Sequence, residues 1–237
     1  MAYRTEMRDK IYYSNTNATG SMKLYMCYKM FDGWSQPAVL NGLPEGDCNY
    51  PFLLADGVTI YFANNNPNGL GGYDIYVTRY NSDTDRFFTA ENIGMPFNSP
   101  ANDYMMVIDE VNNLGWFATD RNQSEGMVCI YTFIPSETKE YYNYKEDKFE
   151  DIRNAAQILS IEATQTDKEA VRKAQQTLFK LELASQSEDK KNDFTFTIDD
   201  FTDYHSLDNF KSGEARQLYL DWKAKQEKLS KLGEELE

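Results

Sequence analysis

The stretch that decides the fold of the first half of the chain is Asp56–Arg79, which reads DGVTIYFANNNPNGLGGYDIYVTR. Asp-Gly is a tight-turn pair, and the β-branched and aromatic residues of Val58–Ala63 suit the pleated surface of a strand. Asn64–Gly72 consists of turn-forming residues, with glycines that can adopt positive φ. Tyr73–Arg79 again has the composition of a strand. The stretch therefore predicts two strands joined by a glycine-rich loop.

Weaker copies of this stretch lie on both sides of it. The matched segments are Ile11–Ser14, Ile60–Ala63 and Gly115–Ala118 for one strand, Leu24–Cys27, Ile75–Thr78 and Ile130–Phe133 for the next, and Asp47–Tyr50 with Ala101–Tyr104 between copies. Tyr61 follows Tyr12 by 49 residues, and Trp116 follows Tyr61 by 55. The first half is therefore a repeat with a period of about 50 residues.

Each copy has room for about four short strands, a spacing typical of β-propeller blades. In the central copy we predict strands at Asn49–Ala55, Thr59–Asn64, Tyr73–Tyr80 and Phe87–Ile93, each bounded by turn-forming residues. No helical period separates these segments, which excludes a βαβ arrangement.

The central copy resembles the TolB-like (WD-type) β-propeller repeat of bacterial cell-envelope proteins. The resemblance covers about residues 8–135 and is carried by Asp56-Gly57, Ile60–Ala63 and Gly69–Tyr76. The motif positions across the copies are Asp56, Gly57, Tyr61, Phe62, Gly71, Gly72, Tyr73, Asp74, Tyr76, Trp116 and Tyr131. The flanking copies depart from the motif, with Glu110–Asn113 in place of Asp-Gly and Gly20–Lys23 in place of Gly-Gly-Tyr-Asp. The resemblance implies a fold and a periplasmic or cell-envelope location, and it implies no activity.

Residues 1–135 hold fewer than three complete repeats, whereas closed propellers have four to eight blades. Such an arc leaves strand edges and a core face open. We expect these blades to belong to a larger propeller, or the arc to be covered by the C-terminal region or by a second chain.

The composition changes after Pro135, where glycine becomes rare and Lys, Glu, Gln and Ala increase. Residues 136–192 are interpreted as a linker (136–150) and a helical segment. One helix is expected at Asp151–Ile161, and a second begins at the capping box Thr166-x-x-Glu169 and runs to about Ser185.

Residues 193–237 form the third predicted region. Phe194–Ile198 alternates like a strand, Asp199-Asp200 marks a turn, and Tyr204–Leu207 is expected to pair back as a hairpin. A long helix then follows from Ser212. Its heptad seam comprises Leu218, Trp222, Leu229, Leu232 and Leu236.

This seam either packs on its own domain or pairs with another chain. Because it stops in mid-pattern, we expect the helix to be truncated. In total, the sequence predicts a mainly β fold with an α-rich C-terminal part: a partial β-propeller of two to three four-stranded blades, then helices, a short hairpin and a long heptad helix.

The formal net charge of the chain is −14. Nucleic acid and anionic lipid both require a cationic surface, so neither is an expected partner. The chain lacks an apolar run of about 18 residues, so we expect no membrane-spanning segment. Met1–Glu6 has no hydrophobic signal core.

Catalytic chemistry has little support in the sequence. His205 is the only histidine, far from Cys27, Cys48 and Cys129, and none of these has metal-type spacing. A Cys27–Cys48 disulfide is an open alternative to free thiols. The Gly69–Gly72 loop lacks the Lys-Ser/Thr that a phosphate loop needs. We expect no catalytic, cofactor or metal site.

The sequence thus favours a non-enzymatic binding or scaffolding segment that contacts a protein partner or itself. The alternatives are part of a propeller polysaccharide hydrolase or lyase, or a ligand-sensing propeller. Paired carboxylates and aromatic residues that could stack on sugars are present, but we expect the acids to be solvated and the aromatic residues to lie in the core between blades. These aromatic residues are Trp34, Tyr50, Phe87, Tyr104 and Trp116.

Overall fold

A computed structural model describes residues 2–136, 146–191, 195–199 and 202–234 of the chain. The chain forms two compact units, Met1–Thr177 and Leu178–Glu237. Each unit is considered by itself below.

The first unit begins with a series of short strands. They are β1 Ala2–Arg4, β2 Lys10–Thr16, β3 Met22–Met30, β4 Gly33–Trp34, β5 Ala38–Val39, β6 Cys48–Leu53, β7 Thr59–Asn64, β8 Asp74–Asn81, β9 Arg86–Phe87, β10 Glu91–Asn92, β11 Asp103–Asp109, β12 Leu114–Thr119 and β13 Cys129–Phe133.

These strands form three antiparallel sheets that follow one another along the chain. In sheet 1 the order is β1-β2-β3, with β4 and β5 both pairing with β3. In sheet 2 it is β6-β7-β8, with β9 and β10 both pairing with β8, and sheet 3 is β11-β12-β13. Most neighbouring strands are consecutive because short turns connect antiparallel strands directly; the exceptions are β5 with β3 and β10 with β8. The described strands do not close into a barrel or a propeller, and the fold is a set of antiparallel sheets combined with helices.

Sheets 2 and 3 repeat the same irregularity. The pairing shifts between Asn49 and Phe52 in β6, and between Asp103 and Met106 in β11. The pairs Cys48–Asn64 and Asp103–Thr119 open the two ladders at the same place. Asp103 is therefore the counterpart of Cys48, and the sequence alignment that matched it with Asn49 was wrong by one residue.

The predicted fourth strand of the central copy, Phe87–Ile93, was also wrong, because it is divided into β9 and β10. The ladder is interrupted after Phe87, where the Thr78 hydroxyl donates to the Phe88 carbonyl oxygen at 2.7 Å. Pairing resumes between Glu91 and Val77. A side chain thus replaces part of the backbone ladder at this edge.

Three helices follow the sheets: α1 Phe149–Gln157, α2 Ile161–Thr164 and α3 Lys168–Lys191. Helix α1 ends before the predicted Ile161, because Ile158 adopts a left-handed conformation with φ 50°. The predicted linker lies mostly outside the described residues.

The predicted Thr166 capping box was wrong. The Asp167 carboxylate caps α3 instead, accepting from the backbone N–H groups of Glu169 and Ala170, both at 3.0 Å. The helix runs to Lys191 instead of ending near Ser185, and it crosses the division between the units.

The second unit contains a hairpin and a long helix, as predicted. Strands β14 Phe196–Asp199 and β15 Thr202–Tyr204 pair antiparallel, and helix α4 spans Gly213–Glu234. Leu207 does not pair in the hairpin, because Leu207–Asn209 is a 3₁₀ turn capped by the Ser206 hydroxyl. Phe194 and Asp200 lie outside the described residues.

Two apolar clusters hold the first unit together. Tyr12 and Leu24 of sheet 1 pack with Ile60 and Phe62 of sheet 2. On the other side of sheet 2, Ile75 packs with Met106 and Phe117 of sheet 3. Sheet 2 is therefore covered on both faces, and the sheets are stacked in chain order.

Candidate functional site: the two end faces of the sheet stack

A stacked pair of aromatic rings recurs on every sheet. In the three sheets of the first unit, the members lie directly opposite each other on the strand pairs β2–β3, β7–β8 and β12–β13. The pairs are Tyr13–Tyr25 (5.8 Å between ring centroids, 23° between planes), Phe62–Tyr76 (6.0 Å, 26°) and Phe117–Tyr131 (5.3 Å, 18°). The repeat is thus carried by equivalent side chains in equivalent geometry, within the range favoured by offset aromatic stacking.

These pairs define the face of each sheet that looks toward the preceding sheet, which we call the back face. The opposite side, whose residues alternate with it along the strands, is the front face. Back-face residues are Ile11, Tyr13, Tyr25 and Cys27 in sheet 1, Ile60, Phe62, Tyr76 and Thr78 in sheet 2, and Phe117, Tyr131 and Phe133 in sheet 3. Front-face residues are Tyr12, Leu24 and Met26, then Tyr61, Ile75 and Val77, then Trp116, Ile130 and Thr132.

Every contact between sheets joins a front face to the next back face. The cluster between sheets 1 and 2 contains Tyr12 and Leu24 on one side and Phe62 and Tyr76 on the other. The cluster between sheets 2 and 3 repeats this with Ile75 against Phe117. Two faces have no described sheet to contact: the back face of sheet 1 and the front face of sheet 3.

Equivalent residues differ in solvent exposure between the middle and the ends of the stack. On the back face of sheet 2, Phe62 and Tyr76 are 1% and 7% exposed, whereas their counterparts Tyr13 and Tyr25 in sheet 1 are only half-buried. On the front faces, Ile75 of sheet 2 is 0% exposed and its counterpart Ile130 in sheet 3 is 61% exposed. Each end of the stack therefore exposes some residues whose counterparts are buried in its middle, although Leu114 and Ala118 on the front face of sheet 3 are buried as well.

Charge differs between the two end faces. The back face of sheet 1 carries Trp34 with two cations over its ring, Arg4 at 5.7 Å and Lys29 at 5.4 Å from the centroid. The front face of sheet 3 carries Asp109 beside Leu114. Hydrogen bonds from the Asn112 side chain and backbone hold the pKa of Asp109 below its ordinary value. One end face is thus bordered by cations and the other by a carboxylate.

The glycines of the central loop have a packing role. A Cβ on Gly71 would lie 2.8 Å from the Pro100 carbonyl carbon, and closer still to the carbonyl oxygens of Ser99 and Ala101. A Cβ on Gly72 would collide with the Asn102 side chain. Gly71 and Gly72 are thus explained by packing, because they lie directly against the segment that enters sheet 3.

Asp74 fixes this loop from inside. Its Oδ2 accepts from the Leu70 N–H and, at 2.8 Å, from the Asn92 side chain. Its Oδ1 is buried without a hydrogen-bond partner among the described residues. Burial raises the pKa of this carboxyl, the two hydrogen bonds oppose the shift, and the charge of Asp103 adds to it.

The same set of hydrogen bonds, made by an acid, an amide and a backbone N–H, recurs at both sheet boundaries. The sequence did not reveal it. Asp47 accepts from the Met22 N–H at 2.8 Å and pairs with Asn65. Fifty-five residues later, the Asn102 side chain accepts from the Tyr73 N–H at 3.0 Å and pairs with Asp120. Acid and amide exchange positions between the two copies, which hid the repeat from a comparison of residue types.

Arg121 connects several segments at the boundary between sheets 2 and 3. Its guanidinium donates to Asp103 Oδ1 at 2.7 Å, and both side chains are almost fully buried. It also donates to the carbonyl oxygens of Pro96 and Phe97, and to that of Ala156 at the end of α1. The cation therefore binds one carbonyl in the last turn of α1, where the helix dipole favours positive charge.

The predicted motif residues are all placed in the sheet framework. Asp56 accepts from the Val58 and Thr59 N–H groups and from the Thr59 hydroxyl, and Gly57 takes a positive φ of 73° in the same turn. Burial acts to raise the pKa of Asp56, but these hydrogen bonds outweigh it and the pKa is lowered. Tyr73 contacts the Tyr104 ring.

A second surface lies on the other unit. Helix α4 and the hairpin border a groove of about 460 Å³, lined by Phe196, Ile198, Tyr204, Phe210, Lys211, Ser212, Ala215, Leu218, Tyr219 and Trp222. Leu218, from the predicted seam, is 63% exposed, and Trp222 is also exposed. Among the α4 residues whose burial is described, Tyr219 is the buried one, at 7% exposed. Leu229 and Leu232 belong to the helix, whose side chains are not described there, and Leu236 lies outside the described residues.

Groups that could carry out chemistry are scattered. His205 Nδ1 lies 3.4 Å from the Thr195 hydroxyl, and all three cysteines are free thiols, so the Cys27–Cys48 disulfide is not formed. Within the described ranges, no group of His, Cys, Asp and Glu side chains could hold a metal ion. None of the described helices has the length and apolar character needed to cross a membrane.

No protein-family model, curated protein or solved structure matches this chain.

Proposed function

We propose that the three sheets are blades of an incomplete β-propeller, and that the chain is a non-enzymatic binding or scaffolding segment of a bacterial cell-envelope protein. It contacts protein partners through the blades and through the helices. The cell-envelope setting rests on the resemblance of Asp56–Tyr76 to the TolB-like repeat.

The observation that carries this proposal is the open back face of sheet 1. Its Tyr13–Tyr25 pair has the geometry of Phe62–Tyr76, which sheet 1 buries. Apolar surface gains about 25 cal/mol per Å² when it is removed from water. A face that repeats a buried interface residue by residue is therefore suited to protein contact.

The buried acids support binding over catalysis. Asp103 is held by Arg121 and by the Ser99 backbone and hydroxyl, and Asp74 is enclosed by the glycine loop. Each of these carboxylates stabilises a sheet boundary and is 0% exposed, so neither meets a substrate.

The test is capture of proteins from a bacterial envelope extract on the immobilised chain. We expect Tyr25→Asp to abolish capture, because it places a charge in the centre of the open face. Val111→Asp is the matched control: it introduces the same charge at an exposed apolar residue in the turn after β11, and it should leave capture unchanged.

Equal capture by wild type and Tyr25→Asp would contradict the proposal. A parallel screen against polysaccharides addresses the enzymatic alternative. Turnover that a single Asp or Glu substitution abolishes would overturn the scaffold assignment.

A further inference from the structure

The two end faces of the stack are the two halves of the contact already made twice inside the chain. The front face of sheet 3 carries Trp116 and Ile130, the counterparts of Tyr61 and Ile75. The back face of sheet 1 carries Tyr13 and Tyr25, the counterparts of Phe62 and Tyr76. Inside the stack, Ile75 belongs to the cluster that buries Phe117, and Leu24 to the cluster that buries Phe62.

Among the described residues, every molecule thus has one front face and one back face on which no further sheet packs. On the front face of sheet 3, Ile130 is exposed whereas Leu114 and Ala118 are buried. A contact between unlike faces of two copies is a head-to-tail contact, which either closes into a ring or continues as a filament. Charge favours the same pairing, since Arg4 and Lys29 border one face and Asp109 borders the other.

We propose that the occupant of the open back face is a second copy of this chain, whose sheet 3 front face docks on it as sheet 1 docks on sheet 2. The reciprocal contact uses the remaining two faces. Two copies bring together twice the three sheets of one chain, a total within the four to eight blades of closed propellers. The inference rests on the proposed function and names its partner.

Two cysteine thiols allow this contact to be followed by chemical modification. Cys27 is a free, half-buried thiol on the back face of sheet 1, and Cys129 is a free, half-buried thiol on the back face of sheet 3, which is used inside the chain. As concentration rises, light scattering should show the mass changing from one chain to two. Over the same range, alkylation of Cys27 by N-ethylmaleimide should slow relative to alkylation of Cys129, as followed by peptide mass spectrometry.

Variants test which faces meet. Tyr25→Asp blocks the sheet 1 face and Ile130→Asp blocks the sheet 3 face. Each alone should raise the dissociation constant by about tenfold or more, because a charge replaces a buried apolar contact. An equimolar mixture should associate more tightly than either variant alone, because each supplies the face that the other lacks.

Val111→Asp is again the control and should dimerise like wild type, and circular dichroism checks that each variant is folded. A wild-type chain that stays monomeric at all concentrations would overturn the inference. So would a dimer in which Cys27 remains as reactive as in the monomer, or a mixture no tighter than its parts. If the chain is monomeric and Tyr25→Asp still abolishes capture from extract, the proposed function stands and only the second copy is excluded.

Discussion

Replacing Arg121 by methionine should destabilise the first unit by about 4 kcal/mol. The substitution keeps an unbranched side chain of similar length but removes the cation that pairs with Asp103 at 2.7 Å. Because the Asp103 side chain is fully buried, its charge is left in a site with little water. Breaking one partner of a buried ion pair costs about 3–5 kcal/mol.

The other hydrogen bonds of Arg121 and Asp103 determine where in this range the loss of stability falls. Arg121 also donates to the carbonyl oxygens of Pro96, Phe97 and Ala156. Asp103 keeps the hydrogen bonds from the Ser99 N–H and hydroxyl, which limits the loss. Adding Asp103→Asn to Arg121→Met should recover part of the stability, since the double variant no longer buries an unpaired charge.

Urea unfolding followed by tryptophan fluorescence measures these values. Trp34 and Trp116 lie in the first unit and Trp222 in the second, so the series is made in a Trp222→Phe background that reports the first unit. Arg86→Met, at an exposed arginine on β9, is the control and should change the unfolding free energy by less than about 0.5 kcal/mol. A loss below about 1 kcal/mol for Arg121→Met, or no recovery in the double variant, would refute a desolvated ion pair at this boundary.

Three further predictions concern Gly71, Asp74 and Asp56. Gly71→Ala should lower the free energy of unfolding by about 1–3 kcal/mol, because the new Cβ meets the Ser99–Ala101 backbone. Gly213→Ala is the control: a Cβ there has nothing within 4 Å, so thermal melts should show a neutral or stabilising effect. Equal effects of the two substitutions would count against close packing at Gly71. The raised pKa of Asp74 means that the folded state binds its proton more tightly, so wild type should gain stability relative to Asp74→Asn as pH falls toward the ordinary value of 3.8. The pKa of Asp56 is lowered, so its effect on stability has the opposite sign: the stability advantage of wild type over Asp56→Asn should be lost as pH falls below 3.8. Urea titrations at a series of pH values distinguish the two carboxyl groups. Parallel pH profiles for the two variants would contradict both assignments.

Local features of the sequence predicted the strands well. Thr59–Asn64 was placed with its bounds as observed, because the Asp-Gly turn before it and the asparagines after it are read from adjacent residues. The fourth strand was misplaced because its interruption depends on the Thr78 hydroxyl, ten residues earlier in the chain. The Asp167 cap was assigned one residue too early because Thr and Asp are both good N-caps.

The candidate site was predicted only in part. Tyr61, Phe62, Tyr76, Trp116 and Tyr131 were recognised as repeat positions, but the sequence does not say which lies on a buried face and which on an open one. Tyr13, Tyr25 and Ile130, which define the open faces, lay within the matched segments but were not among the motif positions. They could have been found by assigning alternate residues of each strand to opposite faces of the sheet. The copies then have to be compared in an alignment that matches the positions of their bulges.

The sequence by itself determined that this protein has short strands, turns and a period of about 50 residues, because backbone preferences act over a few neighbouring residues. The tertiary structure decided which side of each sheet is covered, since burial depends on residues about 50 positions away. It also decided why the stretch Asp56–Arg79 contains its glycines: Gly71 and Gly72 lie against Ser99–Asn102, which no local pattern can indicate.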